Sequence, residues 1–237
     1  MKRHYRLHVK LDKVSRAAAP HLLLAGALLE KFAGRKQPVL IAVGGPGGTG
    51  KTTFAARLAG ALPDARVLKL DDYKTSRAAR AIKRLQGPHP EANEMALLKD
   101  QLRRLKHGES VDKPVYCRKS GQAAQTEPFA PARFVIAEGE IATYPDFYEL
   151  VDFSVFIDSH WWTQLRTRIG RDIVKRGYSV RKALTTYVRS NLLEFKAYGA
   201  QSRNWADVHL HCDRNYKLKI DAVCSRSAAL VRDPRKA

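Results

Sequence analysis

The run Val39-Leu40-Ile41-Ala42-Val43 leads straight into Gly44-Gly45-Pro46-Gly47-Gly48-Thr49-Gly50-Lys51-Thr52-Thr53, and no other stretch constrains the fold as strongly. It holds the full Gly-x-x-x-x-Gly-Lys-Thr spacing at Gly45, Gly50, Lys51 and Thr52. An apolar run of β-type residues before it and a helical pattern over residues 53–62 after it supply the strand-turn-helix setting of a phosphate-binding P-loop. Glycines let the backbone take positive φ and turn several N–H groups inward, and the helix N-terminus adds partial positive charge. Gly45, Gly47, Gly48, Thr49, Gly50, Lys51, Thr52 and Thr53 are therefore candidate nucleotide-binding residues. Lys51 would reach the β- and γ-phosphates and the Thr52 hydroxyl would ligate magnesium.

The rest of the chain alternates strands and helices around that loop. Residues 1–16 are polar and basic, with Tyr5, Leu7, Val9 and Leu11 alternating as in a short edge strand, and a helix is expected over 14–32 with Gly34 as its stop. Lys2, Arg3, Arg6 and Lys10 ahead of the apolar residues 17–29 mimic an export signal, but Pro20 and His21 interrupt the run and Glu30 and Lys31 close it. The segment reads instead as a helix packed on the domain, and nothing reaches a membrane-spanning length. Strands are expected at 65–70, 134–139, 153–158 and 206–210, the first ending at Asp71-Asp72-Tyr73 and the second carrying the acid Glu138 at its carboxyl end. A basic helix or loop covers 75–85, an amphipathic helix runs from Met95 until Gly108 closes it, residues 111–116 are extended, and 117–133 read as a loop. A helix over 161–176, a break at Gly177 and a second helix over 180–198 follow. The expectation is an α/β fold of the P-loop NTPase kind: a doubly wound parallel sheet flanked by helices, with a helical lid. An arm and helix would occupy 1–37, the P-loop domain 38–225 with its lid at about 160–200, and a basic tail 226–237.

Lys and Arg number 43 against 23 Asp and Glu, a formal net charge of +20. That excess points towards a polyanionic partner, yet the basic residues are spread along the chain, and a solvated basic surface is the plainer reading. Nucleic acid is the less favoured partner. Cys117, Cys212 and Cys224 are odd in number and widely spaced, which suggests neither a disulfide framework nor a zinc site and fits a reducing, cytoplasmic setting. His209 and His211 share a strand face but lack a third ligand.

Phosphoryl transfer to an alcohol needs a carboxylate near the γ-phosphate, a magnesium ion, and cations that neutralise the transferring group. Asp71, at the carboxyl end of a parallel strand beside the P-loop, suits the first role. Asp72 equally suits a helix or turn cap. Glu138 suits magnesium, directly or through water, or a strand-end pairing with a lysine. Arg168, Arg171 and Arg176 lie three to five residues apart on a helix and can reach one region of space, as a closing lid requires; the alternative is a solvated basic helix.

The segments Gly-Gly-Pro-Gly-Gly-Thr-Gly-Lys-Thr-Thr (44–53), Leu-Asp-Asp-Tyr (70–73), His-Pro-Glu-Ala (89–92), Pro-Val-Tyr (114–116), Glu-Gly (138–139), Arg-Asp-x-x-x-Arg-Gly (171–177) and Ala-Asp-Val (206–208) resemble, in order, those of the uridine kinase and phosphoribulokinase family of P-loop kinases. The resemblance implies an ATP- and magnesium-dependent kinase acting on a hydroxyl of a small metabolite, with Lys51, Asp71 and Arg171 catalytic. Asp71 would be general base and magnesium neighbour, Glu138 a second magnesium-side acid, and Arg168, Arg171 and Arg176 lid arginines, Arg171 also on the nucleotide side. Asp72, Tyr73, His89 and Tyr116 fall in matching segments and are expected on the acceptor side, together with Arg168 and Arg176 of the lid. Three departures bear on the acceptor. Pro88 stands where uridine kinases carry an Asp that holds the ribose hydroxyls. Tyr116 is followed by Cys117-Arg118-Lys119-Ser120-Gly121 without the histidine that reads the base, and Tyr178 replaces an arginine after the lid's Arg-Gly. A site that loses buried hydrogen-bond partners discriminates against the original ligand. The rival readings are a nucleic-acid-associated P-loop protein and a nucleotide-binding regulator without turnover. Oligomeric state is open.

Overall fold

In the computed structural model, which describes residues 8–10 and 19–224, the P-loop strand stands inside a seven-stranded sheet. In chain order the elements are β1 (His8–Lys10), α1 (Pro20–Lys31), β2 (Val39–Gly44), α2 (Lys51–Ala61), β3 (Ala65–Lys69), α3 (Arg77–Ile82), α4 (Met95–Lys106), β4 (Val111–Cys117), β5 (Gln122–Phe129), β6 (Phe134–Glu138), β7 (Phe153–Ser159), α5 (Trp161–Arg176), α6 (Val180–Tyr187), β8 (Val208–Cys212) and β9 (Leu218–Cys224). Short 3-10 turns cover Leu70–Tyr73 and Pro90–Ala92, and α6 runs on as a π-helix over Val188–Gly199. The sheet order is β1-β9-β8-β7-β2-β6-β3, and β4 and β5 form a separate ribbon.

Five strands, β3, β6, β2, β7 and β8, run parallel. All six residues of β2 are buried, as expected of a strand covered on both faces. Val39, Ile41 and Val43 pack with Leu24 and Leu28 of α1 and with Phe54 and Leu58 of α2. Leu40 and Ala42 pack on the other face against Leu98, Leu102 and Leu105 of α4, with Phe147. The two-sided apolar run is thus the seam between two helical layers. No helix among the described residues is long and apolar enough to cross a membrane.

Several expectations change here. The sheet is mixed, because β9 returns antiparallel along β8 and β1 pairs antiparallel with β9. The expected loop at 117–133 contains β5, paired antiparallel with β4 from Val111↔Phe129 to Cys117↔Gln122. Its residues Gln122 to Pro128 are all exposed, so no apolar alternation marks it in the sequence. The second lid helix is α-helical only to Tyr187. The first helix begins at Pro20, residues 14–18 of its expected span lie outside the described residues, and so does the expected tail 226–237.

Register places the chemistry. Glu138, the last residue of β6, pairs with Val43 of β2 on one side and with Lys69 of β3 on the other. The P-loop follows β2 and Asp71 follows β3, so all three arrive at the same carboxyl edge of the sheet.

Candidate active site

The loop after β2 is built around glycines that cannot be replaced. Gly45 has φ 136°, and a Cβ on it would stand 2.0 Å from the Ile157 carbonyl oxygen of β7. Gly50, at φ 88°, turns the chain into α2. Lys51 is buried, and its ammonium donates to the Pro46 carbonyl at 2.7 Å; the Thr49 hydroxyl donates to the same oxygen at 3.0 Å. Burial lowers the pKa of Lys51, while Glu140, Glu138 and Asp71 pull it back up. The Thr52 hydroxyl donates to Glu138 Oε1 at 3.2 Å, and Thr53 is exposed on the first turn of α2.

The 3-10 turn after β3 sends three neighbouring side chains in different directions. Asp71 turns to the P-loop side, where its half-exposed carboxylate pairs with Lys74 at 2.6 Å. Lys74 holds it well below the usual carboxylate range, against the opposing effect of burial. Asp72 instead ties the turn to the β4–β5 ribbon, accepting from Lys113 Nζ at 3.0 Å and from the Tyr116 N–H at 3.3 Å. Tyr73, expected on the acceptor side, is fully buried in the core between the sheet and α4 and donates to Gln101 Oε1 at 2.5 Å.

Glu138 is buried, which raises its pKa, with Lys51 working the other way. Two residues on stands an acid the sequence reading did not single out. Glu140 Oε1 lies 3.3 Å from Arg168 Nη1, and its carboxylate is only 14% exposed. Burial works to raise its pKa, but Arg168, Lys74 and Lys51 bring it below the usual value. The Glu-Gly-Glu pattern at 138–140 was the available signal, since it places a second acid at the same strand end.

The lid arginines do converge, on a carboxylate of their own helix. Asp172, with no exposed surface, lies 3.9 Å from Arg168 Nε, 3.2 Å from Arg171 Nε and 3.0 Å from Arg176 Nη1. Burial lowers the pKa of Arg176, and Arg171 adds to the effect. The lid meets the P-loop through Asn191 of the π-helix, whose amide donates to the Gly47 carbonyl at 2.8 Å and to Gln164 Oε1 at 2.9 Å. Asn191 also accepts from Arg168.

On the acceptor side, His89 Nδ1 accepts from the Glu91 N–H at 3.1 Å and its ring packs edge-on against Tyr198, 4.4 Å between centroids. The Tyr116 hydroxyl donates to the Gly121 carbonyl at 2.9 Å and accepts from Arg80, whose guanidinium lies over the ring. The structure therefore brings Lys51, Thr52, Asp71, Glu138 and the three lid arginines to one crevice, sets His89 and Tyr116 in the neighbouring loop and ribbon, and turns Asp72 and Tyr73 away. Thr52, Glu138 and Asp71 offer a hydroxyl and carboxylates, the hard oxygen donors that suit magnesium. Among the described residues no group of three or more His, Cys, Asp or Glu is placed to hold a metal ion. His209 and His211 have separate partners, the Arg203 carbonyl at 2.6 Å and Asp158 at 2.9 Å.

The family model described as phosphoribulokinase / uridine kinase matches residues 40–217. Phosphoribulokinase of Synechocystis sp. is 33% identical over 174 residues, which cover 72% of this chain and 52% of that one. Uridine kinase of Schizosaccharomyces pombe is 31% identical over 192 residues, 77% of this chain and 42% of that one. The chain thus spans about half the length of the curated relatives it matches. A structure from Silicibacter sp. TM1040 has the same fold, with TM-score 0.65 at 22% identity over 75% of this chain and 94% of that one.

Proposed function

This chain belongs to the phosphoribulokinase / uridine kinase family, and from that premise we propose that it transfers the γ-phosphate of ATP to a hydroxyl of a small anionic metabolite. The observation that carries the reading is the meeting of Asp71 and Glu138, from the ends of neighbouring strands, with Lys51 and Thr52 of the P-loop. Loop N–H groups and Lys51 would hold the β- and γ-phosphates. Thr52, Glu138 and Asp71 would hold magnesium, which supplies neutralising charge to the phosphate oxygens when bound. Asp71 accepts the proton of the acceptor hydroxyl as that oxygen bonds to the γ-phosphorus and the bond to the bridging oxygen breaks. The transition state is loose, so a weakly basic carboxylate suffices for this transfer. Arg168, Arg171 and Arg176 neutralise the charge of the transferring group.

For the acceptor, relatives named phosphoribulokinase and uridine kinase set two classes against each other, a phosphorylated sugar and a nucleoside. The charge around the crevice favours the first. Arg118, on the turn of the β4–β5 ribbon, lies near enough to Arg176 to lower its pKa, and Arg80 stands beside Tyr116. Pro88 and the residues after Tyr116 withhold the polar contacts a pyrimidine nucleoside would need. The test is ATP consumption with magnesium across sugar phosphates, glycerate, pantothenate, uridine and cytidine, with Asp71→Asn as control. Turnover of a phosphorylated or carboxylated acceptor that falls about a hundredfold or more in Asp71→Asn is expected. Strong turnover of uridine with none on anionic acceptors overturns the acceptor class. ATP binding with no turnover on the whole panel overturns the kinase reading in favour of a regulator.

A further inference from the structure

Glu140 is an acid of the crevice for which the chemistry above has no use, and its surroundings are those of a phosphate. Its Oε1 faces the lid and the P-loop: Arg168 Nη1 is 3.3 Å away, and a Cβ on Gly47 would stand 2.8 Å from it. Its Oε2 faces the acceptor loop, where a Cβ on Gly87 would stand 2.7 Å from it and 3.2 Å from Lys74 Nζ. Glycine at both positions leaves the room that the carboxylate fills. Among the acids acting on Lys51, Glu140 has the largest effect, ahead of Glu138 and Asp71. A carboxylate and a phosphoryl group make the same charge-assisted hydrogen bonds to an arginine fork, so either can sit among these cations. Glu138, which takes the Thr52 hydroxyl, serves the metal side; Glu140 faces the cations.

We propose that Glu140 is a built-in competitor for phosphate: its carboxylate occupies the cationic slot between Arg168 and Lys74 beside the P-loop, and an incoming phosphoryl group must displace it. The inference rests on the P-loop reading and deepens it. Displacement has two consequences. Part of the binding energy of the nucleotide is spent on breaking an ion pair, and Arg168 is released for the transferring group only when that group arrives. An acid in this position therefore lowers the affinity for anions and couples their arrival to a rearrangement of the lid.

The test is calorimetric titration of the full chain with pyrophosphate in the absence of metal, comparing wild type with Glu140→Gln. The variant is expected to bind on the order of tenfold more tightly, the factor that about 1.4 kcal/mol represents. Glu140→Asp, which withdraws the carboxylate by one methylene, is expected to show a smaller gain of the same sign. In an Arg168→Gln background the gain from Glu140→Gln should shrink, because the two residues share one interaction. Unchanged or weaker binding by folded Glu140→Gln and Glu140→Asp overturns the proposal, since a structural staple or a metal ligand would behave that way. A full gain that persists without Arg168 also overturns it, because the effect would then be a general relief of negative charge. Failure of wild type and Glu140→Gln alike to bind pyrophosphate, indistinguishable from Lys51→Ala, overturns the P-loop reading itself.

Discussion

Lys74 sets the proton affinity of the Asp71 carboxylate. Their ion pair, 2.6 Å long, holds the Asp71 carboxylate well below its ordinary range, although burial opposes it. The sign follows from linkage: a depressed folded pKa means that the pair stabilises the fold above the unfolded carboxylate's pKa, and that this is lost as pH falls through the folded value. It also means that Asp71 stays ionised throughout the working range, at the expense of proton affinity. Replacing Lys74 by Met should raise the pKa of Asp71 towards the ordinary value, so that the acid limb of kcat/KM moves to higher pH. A pH–rate profile checks this, and an unmoved limb would mean that Asp71 is not the titrating base. The placement of Asp71 and Glu138 at strand ends, and of Lys51 at the start of the helix after the loop, was legible because apolar runs and the glycine-rich turn fix where those strands end. The fates of Asp72 and Tyr73 were not. Successive residues of a 3-10 turn project about 120° apart, so the direction of each depends on how that turn meets the ribbon and α4.

Within the lid, α5 is an element organised by one carboxylate. Its span from Trp161 to Gly177 was legible, since Gly177 ends it in the left-handed conformation at φ 64°. Its arginines were expected to gather near one place, and spacing alone could not reveal that the place is Asp172. That residue has no exposed surface and lies within 4 Å of all three guanidinium groups. Removing it leaves buried or half-buried cations facing one another. Asp172→Ala is expected to cost about 3–5 kcal/mol, the range for breaking a buried ion pair by deleting one partner. Urea unfolding would read this as a lower midpoint at unchanged slope. A loss below about 1 kcal/mol would show that the three arginines are held by other contacts. The continuation of α6 as a π-helix was illegible for a related reason. Apolar periodicity marks a helix, but the wider turn that brings Asn191 to the Gly47 carbonyl is fixed by the P-loop it meets. The same holds for β5, whose exposed residues take strand form through β4 alone.

Over the whole molecule, the parallel core was readable because two-sided apolar runs leave a strand few other places to go, whereas antiparallel β9 depends on β8 for its position. The net charge of +20 acts at this scale and has two rival uses. If it draws small anions to the crevice, their capture should weaken as salt screens the field, since the Debye length falls from about 10 Å at 0.1 M to about 3 Å at 1 M. If it holds a nucleic acid, affinity for duplex or single strands should fall as a steep power of salt, with a slope set by the phosphates neutralised. Some of the cations border the crevice: Lys74 beside Asp71, Arg171 and Arg176 around Asp172, and Arg118 acting on Arg176. The expectation is therefore that KM for an anionic acceptor rises several-fold between about 0.05 and 0.5 M salt while kcat stays within a factor of two. A neutral acceptor in the same series should show almost no change in KM. Parallel rises for charged and neutral acceptors would trace the salt effect to nucleotide binding. A flat response for both, with steeply salt-dependent binding of RNA or DNA, would assign the charge to a nucleic acid and leave the acceptor site electrically neutral in its choice of substrate.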